Sequence, residues 1–394
     1  MLMTDSATRP ARSLQRLATP LLSLTVALVG LCPPIPCRGQ DGSVSLQSGI
    51  DKAIINPEKR PGADFYRYAN DQWLETTSIP ADRADYGIFA ILDDATQAQV
   101  RSIIEEVAAK TDAPPGSAAQ QVGDFYRSYV DLETRNAKGI APIQPILEKI
   151  NAIESLDDLA RVMGELQLLN VAMPLGVYVS VDARKSDQYT VYASQSGLTL
   201  PDRDYYLVDE PRYEKLRGEL VAYASDLLTA AKFPMADGET AESLAKRIFE
   251  IEKRVAEKQW TKTENRDPVK TYNPVDGEQL AAMMRPLDWN QFREAFGVAA
   301  DQQLVIRQPS YFESLGGLFE AFDLPSWKAY LTFHALDGYA SYLSEELEQR
   351  HFAFHSTAVS GVDEQRPLWQ RAVRTTGNVV GELVGQLYVE KHFT

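Results

Sequence analysis

Four histidines, His334, His351, His355 and His392, are the first residues to weigh for hydrolytic chemistry in this 394-residue sequence. A zinc hydrolase site needs two neutral imidazoles, a third ligand and a carboxylate that takes the proton from bound water. His-Glu-x-x-His does not occur. The nearest approach is "HFAFH", where His351 and His355 stand four apart and Phe352 fills the place of the carboxylate. The surrounding "RHFAFHSTAVSG" reads as a loop with packed phenylalanines, so no metal is expected there. His334 falls on the apolar face of its segment and is expected to be a hydrogen-bonded core histidine. No Gly-x-Ser-x-Gly elbow, phosphate loop or dinucleotide fingerprint is present. The adjacent carboxylates Asp93-Asp94 and Asp157-Asp158 point apart on a helix and are better explained as charge near helix starts. Self-contained catalysis is not visible.

The elements that would position such residues are mainly helical. Apolar residues recur at helical spacing through Leu92, Val100, Ile103, Ile104 and Val107, and again from Val122 to Tyr129. Ser155, followed by Asp157 and Asp158, opens a helix over 156–169. Further helices are expected over 212–232, 239–263, 277–284, 290–296 and 325–348, and one unbroken helix from about Pro367 to the end. One segment alternates at period two: Val177, Val179, Val181, then Tyr189, Val191, Ala193 around "DARKSD", a β-hairpin over about 173–195. The fold class is therefore mainly α, a multi-helix body with one small hairpin.

The first 39 residues have a basic start (Arg9, Arg12, Arg16), an apolar run Leu21 to Leu31, and small and turn residues after it. That is the layout of a signal peptide, with a retained single-span anchor as the alternative. A linker follows over 40–55. Both cysteines, Cys32 and Cys37, lie in the signal, so the exported body has no disulfide partners. The expected destination is the periplasm or the exterior of a bacterial cell. Removing the signal, with its four arginines and one aspartate, takes the formal charge from −15 to −18. Such a body is repelled by phosphate backbones, which argues against a nucleic-acid partner.

Three stretches are particular: "PGADFYRYANDQWLETTSIPADRADYGIF" (Pro61 to Phe89), "QSGLTLPDRDYYL" (Gln195 to Leu207) and "NRDPVKTYNPV" (Asn265 to Val275). In order and spacing they resemble the amino-terminal half of the neprilysin family of zinc metallopeptidases, and the resemblance covers 49–394. It implies that 56–394 is the amino-terminal domain, most of a helical lid that encloses small peptides across from a zinc domain. The family's zinc ligands and general base lie beyond this region and have no counterpart here. The resemblance therefore implies no catalytic residue and no cofactor in this chain, although the complete family uses zinc. The favoured expectation is a chain that stops before its catalytic half, inactive alone, with small peptides and a separately encoded catalytic half as partners. The alternative is an exported peptide- or partner-binding protein without catalysis.

The same resemblance places Phe89 at the wall of the pocket for the side chain after the cut bond, near a "YGxF" strand, with a core phenylalanine as the competing role. Where mammalian-type members carry two arginines that grip a peptide's terminal carboxylate, this sequence has Asp85 and Asp93. Arg83 is the substitute candidate. Finally, Gly377, Gly381 and Gly385 repeat every four residues on the last helix. Three glycines inside a helix cost roughly 2–3 kcal/mol, which calls for another backbone packed closely along them.

Overall fold

In the computed structural model the described residues are 49–393; the signal read over 1–39, both cysteines and the first part of the linker lie outside them. Residues 49–75 and 76–393 fall into two units. In the first, the helix Phe65–Thr76 carries Asp71, 1% exposed, which accepts hydrogen bonds from Asn56 Nδ2 and Arg67 Nη1, both at 2.8 Å. The "YANDQW" motif thus ties its helix to the chain that enters it.

The second unit is built on the helix Leu324–Tyr339, buried on nearly every side from Ser326 to Leu336. Trp327, Tyr330, Leu331 and Phe333 are each 0% exposed, which only a helix enclosed by other helices can bury. Pro211–Ala230 and Ala241–Lys258 pack against it. A smaller core forms where Ile104 and Val107 of Ile88–Ala108 meet Val122 and Tyr126 of Ala118–Val130. Ala372, Val373 and Val384 cover it from Leu368–Val379 and Gly381–His392.

The mainly α reading holds, with the predicted hairpin as β1 (Leu175–Val181) antiparallel to β2 (Tyr189–Gln195). The sheet is larger than that hairpin. β3 (Asn273–Val275) and β4 (Leu304–Ile306) complete a mixed sheet in the order β1-β2-β4-β3, with β4 parallel to β2 and antiparallel to β3. Three-residue strands are too short to show a period of two, and "LVI" is buried throughout. The "DARKSD" turn is fixed by Asp182, whose carboxylate accepts from Arg184 N at 2.8 Å, Lys185 N at 2.9 Å and the Tyr272 hydroxyl at 2.9 Å.

Two further expectations are corrected. The helix read over 325–348 breaks after Tyr339, and a new one, Glu345–His351, starts behind Ser344. The last helix is likewise two, parted at Val380 with φ −123° and ψ 36°. Gly377 is therefore on one helix, and Gly381 opens the next. A Cβ at Gly377, Gly381 or Gly385 would meet nothing within 4 Å. These glycines border an open groove of about 570 Å³ beside Asp93, Gln97 and Val100. No backbone among the described residues packs on them.

Many helix and turn starts rest on ionised carboxylates. Asp131 is held below the usual range by the Thr134 N–H, Asp158 by the Ser155 hydroxyl and Arg161, and Asp323 by the Ser326 hydroxyl. A carboxylate whose folded pKa lies below its unfolded value adds stability above the unfolded value, and that stability is lost as pH falls through the folded one. The melting temperature should accordingly stay level from about pH 7 to 5 and fall below about pH 4. Circular-dichroism melts across that range check this; a level profile down to about pH 3 would contradict it.

Candidate functional site

The second and third motifs fold together. The Gln195 side chain grips the Trp260 backbone in both directions, donating to its carbonyl at 3.0 Å and accepting from its N–H at 2.7 Å. Gln308 Nε2 donates to Asn265 Oδ1 at 2.7 Å, and its own Oε1 accepts from Gln195 N at 2.9 Å. Beneath them lies Glu252, 0% exposed. It accepts from Thr199 Oγ1 at 2.6 Å, Thr199 N at 3.3 Å and the Tyr206 hydroxyl. Burial first, and Glu252 next, push the Tyr206 pKa well up, so this phenol stays a donor. His334, 2% exposed, is the core histidine expected from its position. Its Nε2 lies 3.0 Å from Glu252 Oε1 without a hydrogen bond, so the expected burial is found and the expected hydrogen bond is not made at this nitrogen. The motif residues thus work inside the chain, and beside them is a cavity of about 310 Å³ bordered by Asp202, Arg203 and Lys262.

No strand forms around "YGIF". Gly87 is extended, and Ile88 begins the helix Ile88–Ala108. Phe89 lies in the first turn at 85% exposure, and Ile88 and Leu92 beside it are 62% and 56% exposed. Arg83, in the turn before this helix, has a side chain only 8% exposed, and its Nη2 bonds Asp94 Oδ1 at 2.5 Å. Asp93 points the other way, to Arg374 Nη2 at 2.6 Å. The adjacent carboxylates do diverge, and the charge of Arg83 is engaged inside the chain.

The histidine segment overturns its loop reading. His351 ends the helix Glu345–His351 and Phe352–Val359 continues it as a π-helix. The wide turns bring the rings of His351 and His355 to 4.4 Å between centroids. From Leu324–Tyr339, Asp337 reaches the same point, with Oδ1 2.7 Å from His355 Nε2 and 2.8 Å from the Tyr223 hydroxyl. One ligand atom from each of Asp337, His351 and His355 lies within 4.8 Å of the others. Burial pushes the Asp337 pKa up, but its bonds and attraction to His355 outweigh that and hold it below the usual range. Burial and the neighbouring His355 lower that of His351. Sequence reasoning missed Asp337 because it belongs to another helix. The available signal was its place one turn after His334.

Known proteins resolve what these motifs belong to. The profile of the amino-terminal region of peptidase family M13 matches residues 61–394. The chain belongs to peptidase family M13. Among M13 relatives, mouse endothelin-converting enzyme-like 1 is 26% identical over 89% of this chain and 45% of its own. Neprilysin-3 of Drosophila melanogaster is 25% identical over 92% and 48%. The Mycobacterium tuberculosis zinc metalloprotease Zmp1 in complex with inhibitor superposes with a TM-score of 0.80 at 30% identity, over 88% of this chain and 52% of that one. Its open state gives 0.73. The chain thus spans about half the length of the M13 relatives it matches. The match begins at the first residue of the "PGADFYRYANDQW" motif, and the resemblance to the amino-terminal half of the neprilysin-type enzymes is upheld. Among the described residues no helix is long and apolar enough to cross a membrane.

Proposed function

We propose that this chain is the substrate-enclosing, non-catalytic portion of an exported M13 zinc metalloendopeptidase acting on small peptides. The observation that carries the reading is the exposed apolar row Ile88, Phe89 and Leu92 at the head of a helix in an M13 chain. Large side chains are left in water there, as a peptide-facing wall requires. Phe89 supplies that wall, and Arg83 braces the turn before it through Asp94. The sequence lacks His-Glu-x-x-His, and Phe352 stands where a general base would be needed between His351 and His355, so these residues do not fit the hydrolytic zinc. Water activation is assigned to a region outside these residues. The segment 1–39 directs export to the periplasm or beyond, and the acidic body leaves nucleic acid outside its partners.

Purified chain with one equivalent of zinc should leave fluorogenic peptides intact while binding them. Phe89→Ser should weaken that binding about five- to tenfold, the loss of a partly buried aromatic contact, without moving the melting temperature. Hydrolysis that disappears in a His351→Ala/His355→Ala double variant would overturn the non-catalytic reading. Absence of peptide binding would overturn the enclosing role.

A further inference from the structure

We propose that Asp337, His351 and His355 form a divalent transition-metal site, suited to zinc, that ties the π-helix to the central helix and takes no part in hydrolysis. Two imidazoles and one carboxylate are a donor set that zinc accepts, with a further position left for water. The three atoms converge from two elements: Asp337 from Leu324–Tyr339, the histidines from the junction of Glu345–His351 with Phe352–Val359.

Three observations set this cluster apart from an ordinary aspartate–histidine pair. A pair needs only His355, which already bonds Asp337 at 2.7 Å. His351 is nevertheless turned to the same point, and among the described residues its ring makes no hydrogen bond, only the ring contact with His355. Second, His355 stands on an eight-residue π-helix that begins directly after His351, a rare conformation that recurs at functional sites. Third, the Tyr223 hydroxyl donates to Asp337 Oδ1 at 2.8 Å, on the same oxygen that His355 contacts, an outer hydrogen bond of the kind that orients a metal-ligating carboxylate and leaves Oδ2 without this donor. Donor atoms on one tetrahedral zinc are about 3.3 Å apart, as bond lengths of about 2.0–2.1 Å require. With all three atoms within 4.8 Å, movements of about 1 Å, within the reach of side-chain rotation, would seat the ion.

The test uses the full chain without an affinity tag, stripped with chelator and titrated with zinc, then with cobalt. The expected result is one equivalent bound, visible absorption of four- or five-coordinate cobalt, and a higher melting temperature with metal than without. His351→Ala should weaken zinc binding at least about a hundredfold, since it removes a ligand rather than an outer contact. His392→Ala should change nothing. Folding of each variant is checked by circular dichroism, and anomalous scattering at the zinc edge from wild-type crystals locates the ion directly if His351→Ala does not fold. A folded wild-type chain that binds no zinc, binding unchanged in His351→Ala, or an ion placed elsewhere would each overturn the site and leave a hydrogen-bonded Asp–His–Tyr cluster only.

Discussion

Glu252→Ala should cost about 3–5 kcal/mol, because it leaves several buried donors without an acceptor at about 1–3 kcal/mol each. Glu252 is 0% exposed and gathers the Tyr206 hydroxyl and the Thr199 hydroxyl and N–H. Alanine removes the acceptor and leaves these groups without water to replace it, so each retains its desolvation cost without its bond. Against a typical total of about 5–15 kcal/mol, such a loss removes about a fifth of the stability or more. Glu252→Gln keeps the volume and one acceptor oxygen and should cost only about 1–2 kcal/mol. Guanidinium unfolding of the two variants beside wild type measures both. If Glu252→Ala fell within about 1 kcal/mol of wild type, the hub would not be holding the motifs together.

The same residues show what a sequence discloses and what it withholds. The motif "QSGLTLPDRDYYL" disclosed the family, yet nothing in its spacing announced that Thr199 and Tyr206 converge on a glutamate of another helix. Helices with long apolar stripes were legible almost to their ends: Gly277–Met284 matches its predicted bounds, and Ser155 caps its helix by accepting from Asp158 N at 3.0 Å. Strands of three residues were not, because two alternations cannot be told from chance. Breaks at Tyr339 and Val380 were missed for a different reason. Each has a glycine beside it, Gly338 before Tyr339 and Gly381 after Val380, but an isolated glycine inside a continuing helical pattern does not by itself announce a stop.

At the candidate sites the division follows distance along the chain. His351 and His355 are neighbours on any helical backbone and were noticed. The reading failed on their backbone, because an apolar run with two phenylalanines and small residues after it resembles a packed loop, and π-helices have no sequence signature comparable to an α-helix stripe. Phe89 is placed by resemblance with wall and core roles left open, and no spacing rule announces its exposure at the head of a helix. The engagement of Arg83 by Asp94 depends on a turn whose geometry no spacing rule supplies.

Gly197→Ala is the second large effect, and it separates two costs that a motif glycine can conceal. Gly197 has φ +87°, where a side chain is strained, and a Cβ built there would lie 2.5 Å from Tyr330 Oη and 2.7 Å from the Met173 carbonyl carbon and oxygen. The hydroxyl of Tyr330 donates to Gly197 O at 2.8 Å, so moving aside would sacrifice a buried hydrogen bond. Backbone strain of about 1–3 kcal/mol and overpacking of about 1–3 kcal/mol give a combined loss of roughly 2–6 kcal/mol. Gly116 is the control: its φ is +79°, but a Cβ there meets nothing within 4 Å. Gly116→Ala should therefore show the strain alone, about 1–2 kcal/mol. Thermal and guanidinium unfolding of the two alanine variants compares them directly. Equal losses would mean that the glycine of the motif serves only its turn. A larger loss at Gly197 means that the motif holds a glycine because the central helix and the entry to β1 close against its backbone, leaving no volume for a methyl group.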